Sequence, residues 1–214
     1  MESVSQVRLL ILAAALAPGG ALAQAESKWY AGFTASAAHA ALDDGSIPIT
    51  GSPATLVSKD LTSSALALFG GYQFNPSFAL EAGFMDLGRY RITRSLVAPA
   101  IGTGDISLKS SGWFADAVGF RALSPTWSLF GKLGAMYTTT EATLTPSGAV
   151  LLPAGTDLNP KRSEWNFKFG FGAQYAFSKD MALRFGYDQV SSVGDANTGQ
   201  GDVRLFSLGL RIGF

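Results

Sequence analysis

The fold class predicted by the sequence is all-β, an eight-stranded antiparallel up-and-down transmembrane β-barrel. Three observations predict it. Charged residues make up 15% of the chain, against about 25% in an ordinary soluble domain, and mean hydropathy is +0.21. Yet past the N-terminus no apolar run approaches the ~18 residues of a membrane helix. Instead, eight segments alternate apolar with polar or small residues, and short and long connections alternate between them. Barrels carry their hydrophobicity in such alternation, where a hydropathy window misses it.

The N-terminus is an address. Arg8 precedes a short apolar run, Leu9–Ala17, which Pro18-Gly19-Gly20 breaks. Ala21-Leu22-Ala23 then gives the small-x-small pattern of a signal-peptidase site. Residues 1–23 are expected to be a cleaved signal peptide and 24–214 the barrel domain. The chain has no Cys, which rules out disulfides, thiolate metal sites and a lipoprotein anchor. Net charge is zero and no basic stripe appears, so nucleic acid is not expected as a partner.

The segments follow in order. The first, Lys28–His39, places Trp29, Ala31, Phe33, Ala35 and Ala37 on one face. In the second, about 61–74, Leu66, Leu68, Tyr72 and Phe74 alternate with Ala65, Ala67, Phe69, Gly71 and Gln73. The turn Asn75-Pro76-Ser77 leads to the third, 78 to about 91, with Phe78, Leu80, Ala82 and Phe84 outward and Glu81, Gly83 and Met85 inward. The fourth, about 108–123, is ambiguous: if Phe114, Val118 and Phe120 face lipid, so does Asp116. A charge at mid-bilayer is costly, so a bulge or the inverted facing is expected there. After Ser124-Pro125-Thr126, the fifth, 127 to about 140, alternates Trp127, Leu129, Leu133 and Tyr137 with Ser128, Lys132, Gly134 and Met136. The sixth, about 164–177, sets Trp165, Phe167, Phe169, Phe171, Tyr175 and Phe177 against Asn166, Lys168, Gly170, Gly172 and Gln174. Ser178-Lys179-Asp180 turns into the seventh, 181 to about 190, where Met181, Leu183, Phe185 and Tyr187 alternate with Ala182, Arg184, Gly186 and Asp188. The eighth, about 202–214, alternates Phe206, Leu208, Leu210, Ile212 and Phe214 with Ser207, Gly209, Arg211 and Gly213.

No helix or second sheet is left to cover the apolar faces, so lipid must cover them. The four longer connections, about 41–60, 92–107, 141–163 and 191–201, are rich in Gly, Pro, Ser and Thr. Short periplasmic turns and long external loops are the bacterial outer-membrane arrangement, so the cell outer membrane is the expected location. Trp29, Tyr72, Trp113, Trp127, Tyr137, Trp165, Tyr175 and Tyr187 are candidates for interface girdles.

The candidate site lies inside. Glu81, Lys132, Lys168, Arg184, Asp188 and Arg211 all point to the lumen. Counted from the turns, Glu81, Arg184 and Arg211 lie about three residues up and the others about six to nine, forming two layers of mixed sign. Buried charges persist only when paired, so salt bridges plugging the lumen are expected, with a narrow ion pore as the alternative. No catalytic residue, cofactor or metal is expected. His39 is the only histidine, so paired-His metal sites are excluded.

Several short motifs carry a family resemblance. Phe69-Gly70-Gly71-Tyr72-Gln73 with Asn75-Pro76, Gly83-Phe84, Leu87-Gly88-Arg89, Trp29-Tyr30, Gly194-Asp195-Ala196, Ser207-Leu208-Gly209 and Phe214 together resemble the OmpA-type transmembrane domain. The resemblance spans the mature chain and implies the same barrel. It implies that Glu81 and Lys132 occupy lumen-charge positions of an interior network, while Gly186 and Gln200 stand where partners would be. It also implies that Phe214 is a C-terminal signal read by the barrel-assembly machinery. The family's peptidoglycan-binding domain would follow the barrel; the chain stops at Phe214, so no cell-wall tether is expected.

The expected function is therefore a structural outer-membrane barrel, monomeric, with surface loops and a charge-plugged lumen. Its partners would be outer-membrane lipid and lipopolysaccharide, periplasmic chaperones and the assembly machinery. The alternatives are a narrow pore or an adhesin whose loops meet a host or environmental ligand. A lipid A-modifying enzyme would need His39 as base beside Asp43, Asp44 and Ser46; a rim histidine is the expected role instead.

Overall fold

The computed structural model describes residues 28–42, 54–98, 102–148, 157–193 and 201–214. The expected signal peptide, Asp43, Asp44, Ser46, Gly194–Ala196 and Gln200 lie outside them. The strands are β1 (Trp29–Leu42), β2 (Ala54–Asp60), β3 (Thr62–Asn75), β4 (Phe78–Ala98), β5 (Gly102–Ala122), β6 (Trp127–Gly148), β7 (Lys161–Ala176), β8 (Met181–Val193) and β9 (Gly201–Gly213). β2 and β3, parted at Leu61, both pair with β4 and form one stave. Each stave runs antiparallel to the next, and β1 pairs with β9. The result is an eight-stave closed barrel, which leaves no backbone edge for the membrane to leave unsatisfied.

The register fixes the barrel's dimensions. The Cα partners lead from Tyr30 through Gly71, Glu81, Asp116, Gly134, Lys168, Val190 and Val203 back to β1 at Ala40. That circuit returns ten residues from its start. Such an offset, with ~3.3 Å per residue and ~4.8 Å between strands, tilts the strands about 40° and gives a backbone radius of about 8 Å. A lumen that narrow is filled by side chains.

The three tight turns are built by their first residues. Asn75 Oδ1 accepts from the Ser77 amide (2.8 Å). Ser124 Oγ accepts from Trp127 N and Ser178 Oγ from Met181 N, both at 3.0 Å. Side chains that mimic a backbone turn in this way explain why Asn and Ser begin them.

Outward positions carry the large hydrophobics, among them Phe33, Leu68, Leu133, Phe171 and Leu208, all exposed on the barrel wall. Aromatic pairs mark both margins. At the turn end, Trp29–Tyr72 and Trp127–Tyr175 have centroids 4.8 and 5.1 Å apart. Toward the loop end, Phe84–Trp113 and Tyr137–Trp165 lie at 5.3 and 5.2 Å. Trp127 and Tyr137 are ten residues apart on β6, about 25 Å along the barrel axis at this tilt, the height of an outer-membrane apolar band. Tyr187 falls inside the band, packed on Phe171 and Phe206.

Asp116 faces the lumen with 1% exposure, and Phe114, Val118 and Phe120 are buried on the same face. Trp113 faces out. The ladder from β5 to β6 is continuous from Gly102 to Ala122, so the inverted facing holds and β5 has no bulge against β6. The bulge is in β4, where Leu87 is the extra residue opposite Ser111 and Ser110. Gly88 there has φ +88°, and a Cβ would lie 2.2 Å from Ser63 Oγ, so only glycine fits.

The strand boundaries need correction. Of the spans expected as loops, about 92–107 is largely strand and about 141–163 is strand at both ends: β4 runs to Ala98, β5 starts at Gly102, β6 runs to Gly148 and β7 starts at Lys161. Part of the expected first loop, Ala54–Asp60, is strand as well. These stretches lie beyond the loop-end aromatic row, where no lipid-facing stripe exists to mark them.

Candidate functional site: the lumen

The inward side chains gather in two groups. In the lower group, Arg184 on β8 donates to Glu81 Oε1 on β4 (2.6 Å) and to Gln174 Oε1 on β7 (3.0 Å). The Tyr30 hydroxyl donates to the same Glu81 oxygen (2.8 Å). The rings of Phe69, Phe120, Phe130 and Tyr30 stand 5.0–5.8 Å from the guanidinium, a cation–π shell around a desolvated charge. Arg211 lies 3.9 Å over the Tyr30 ring and donates to Gln73 Oε1 (2.7 Å). Its partners are an amide and a ring.

The upper group alternates signs. Lys132 Nζ is 2.7 Å from Asp188 Oδ1, and Lys168 Nζ is 3.1 Å from the same oxygen and 2.5 Å from Asp116 Oδ2. Lys168 has no exposed surface and Asp116 1%. Every one of the six lumen residues singled out in the sequence thus lies in one of these groups. Their facing follows from strand parity, which is readable once one lipid-facing aromatic per strand is placed.

Four further members, Tyr30, Gln73, Asp116 and Gln174, are not among the lumen charges the sequence points to. Asp116 is the largest omission, since it anchors Lys168. Its signal was present: Trp113 facing lipid forces residue 116 inward.

Glycine on the intervening strand makes three of these contacts geometrically feasible. Asp116 and Lys168 are both Cα partners of Gly134; Lys132 and Asp188 of Gly170; Tyr30 and Glu81 of Gly71. A Cβ on Gly134 would lie 2.4 Å from Asp116 Oδ1, on Gly170 2.6 Å from Asp188 Oδ1, and on Gly71 2.3 Å from the Tyr30 ring. Each polar pair reaches across one strand through the space its glycine leaves.

Between the groups is a cavity of about 20 Å³, lined by Glu81, Lys132, Lys168, Arg184, Asp188, the hydroxyl residues Thr34 and Ser207 and neighbouring apolar side chains, room for about one water. Toward the loop end, Thr138 donates to Asn166, Ser110 and Thr140 hydrogen-bond at 2.9 Å, and Met85, Leu87, Met136, Val190 and Leu205 fill the bore. The site can hold fixed charges in place. No histidine enters it: His39 is on the outer face, with Nδ1 3.4 Å from Thr62 Oγ1.

Comparison with known proteins places this barrel. The chain is 29% identical over 214 residues to outer membrane protein A of Shigella flexneri, covering 96% of this chain and 55% of that protein. It is 26% identical over 150 residues to outer membrane protein A of Klebsiella pneumoniae, covering 68% and 40%. The chain therefore spans about half the length of the curated relatives it matches. Among solved structures, Neisserial surface protein A (NspA) superposes with a TM-score of 0.55 at 17% identity, covering 88% of this chain and 98% of that one. OprG from Pseudomonas aeruginosa gives 0.52 at 13%, covering 91% and 99%. At these identities the likeness is one of fold. The family model described as the outer membrane protein beta-barrel domain matches residues 9–214. The chain, a closed eight-stave barrel with OmpA homologues over its barrel region, belongs to that family of cell outer-membrane barrels.

Proposed function

We propose that this protein is a structural outer-membrane barrel whose lumen is closed by its charge network and whose loop end is presented outside the cell. The observation that carries this is the bore between Glu81 and Lys168, where ion pairs and rings leave a cavity of about 20 Å³. In this role Glu81, Lys132, Lys168, Arg184, Asp188 and Arg211, joined by Asp116, are structural. A narrow pore would have to part pairs whose disruption leaves buried charges uncompensated. Phe214, exposed at the turn end, serves as the assembly signal for the barrel machinery, residues 1–23 are removed on export, and the mature chain is a monomer in lipid.

Conductance tests this. Planar bilayers containing the purified chain are expected to show no reproducible channels. Channels that Glu81→Ala abolishes or alters would overturn the plug and establish a pore.

A second reading, surface adhesion, is favoured by one observation. β6 continues eleven residues past Tyr137, alongside β4 and β5, which at this tilt lifts a sheet about 25–30 Å above the loop-end aromatic row. Such a sheet holds its outer surface in fixed geometry for a host or environmental ligand.

A further inference from the structure

Two parallel rows cross the outer face of β4, β5, β6 and β7. The first is aromatic: Phe84, Trp113, Tyr137 and Trp165 are successive Cα partners. The second is ionic: Arg89, Lys109, Glu141 and Lys161 are likewise successive partners, four rungs nearer the loop end. At ~3.3 Å per residue and a tilt of about 40°, the rows are about 10 Å apart. That is the step from an interfacial aromatic belt to the charged headgroup layer.

All four ionic side chains are exposed. Lys161 pairs with Glu141 at 2.7 Å. Arg89 and Lys109 form no ion pair among the described residues. Asp86 below them is turned to the Gly88 amide (2.9 Å), and Arg91 above them stands opposite Asp60. At corresponding heights the outer faces of β1 and β3 carry Ala37, His39, Thr62 and Ser64, with no carboxylate or ammonium. β9 presents one exposed cation, Arg204, opposite His39, so it is the cross-strand pairing of two cations that sets this face apart from β1, β3 and β9.

We propose that this face binds a phosphorylated lipid of the outer leaflet, its acyl chains against the aromatic row and its phosphate between Arg89 and Lys109. Neighbouring strands set the two cations about 5 Å apart at the backbone, a spacing at which both can contact one phosphate. The Arg89 guanidinium supplies the planar fork that matches phosphate oxygens. The site rests on the proposed orientation, loop end outward.

The test uses the full chain refolded in zwitterionic micelles, with heat-modifiable gel mobility confirming the barrel in every variant. Retention of bis-phosphorylated lipid A is read by native mass spectrometry beside the same lipid stripped of phosphate. The phosphorylated form should be retained more strongly. Replacing both cations (Arg89→Gln with Lys109→Gln) should lower its retention about 25-fold, about fivefold per cation. Arg204→Gln, on β9 beside His39, should leave it unchanged. Equal retention of the two lipids, an unaffected double variant, or an equal loss in Arg204→Gln would overturn the site. So would displacement by millimolar inorganic phosphate, which would make the occupant a free anion. Labelling of loop-end positions from the periplasm alone, with lipid A retention intact, would instead overturn the orientation.

Discussion

Below the loop-end aromatic row the barrel is apolar outside and charged inside; above it, the same strands reverse. On β5, Trp113, Ala115 and Ala117 face outward below, while Asp105, Ser107 and Lys109 face outward above. The inward side changes from Asp116 to Leu108 and Ile106, both buried. β6 does the same, from Leu129, Leu133 and Tyr137 outward to Thr139, Glu141 and Thr143, and from Lys132 inward to buried Ala142. On these two strands the alternation never slips, since the β5–β6 ladder is continuous. What changes is the solvent. Hydrocarbon demands apolar side chains outside and leaves charges to pair within; water permits polar ones outside, and the interior becomes an ordinary apolar core.

The contrast predicts unequal costs for similar changes. The largest effect should come from Lys168→Ala, which strands Asp116 without an ammonium at the centre of the lumen and leaves Asp188 with Lys132 alone. Removing one partner of a buried ion pair costs about 3–5 kcal/mol. Urea unfolding from lipid vesicles should show a loss of that size; a loss below about 1 kcal/mol would mean the lumen is wet and the charges already solvated. Next is a glycine pair. Gly134→Ala places a Cβ 2.0 Å from the Ala115 carbonyl and 2.4 Å from Asp116 Oδ1, whereas at Gly104 a Cβ meets nothing within 4 Å. The first should cost about 1–3 kcal/mol by overpacking, the second less than about 0.5. Equal costs in the same unfolding assay would show that the glycines do not serve the polar contacts they separate.

The same inversion explains what was legible in the sequence. Strand parity between the aromatic rows could be read directly, because Trp165, Phe167, Phe169 and Phe171 leave no doubt about which face meets lipid. That parity alone sends Glu81, Lys132, Lys168, Arg184, Asp188 and Arg211 inward. The extension looks like loop in the sequence, because Thr139, Glu141, Thr143 and Thr145 form no apolar stripe and the apolar residues move to the other parity. Asp116 was harder for a related reason. Three large apolar residues, Phe114, Val118 and Phe120, share its face, and they line the lumen: the Phe114 ring lies 4.7 Å from Lys168 Nζ and Phe120 5.7 Å from Arg184. Rings that shelter buried cations look, in sequence, like rings that face lipid. Which cation meets which carboxylate depends on barrel closure. The Glu81–Arg184 pair joins residues 103 apart, and no local pattern encodes it.

The smallest effect should be at the surface pair, and it sharpens the comparison by its size. Glu141 and Lys161 are 2.7 Å apart, as close as Lys132 and Asp188, yet both are largely exposed. Lys161 hydrogen-bonds the Glu141 carboxylate and holds it below its ordinary value of 4.5. A carboxylate depressed in the folded state contributes stability above its unfolded pKa, and that contribution disappears as pH falls through the depressed value. The window is therefore acidic, from about 4.5 downward, with nothing gained or lost between pH 6 and 8. Water and salt screen an exposed pair, so Glu141→Gln should leave the urea midpoint at pH 7 unchanged within error and slightly reduce the loss seen on acidification. A fall at pH 7 approaching that of Lys168→Ala would show that the extension is as dry as the lumen, and the solvent-driven inversion between the two regions would fail.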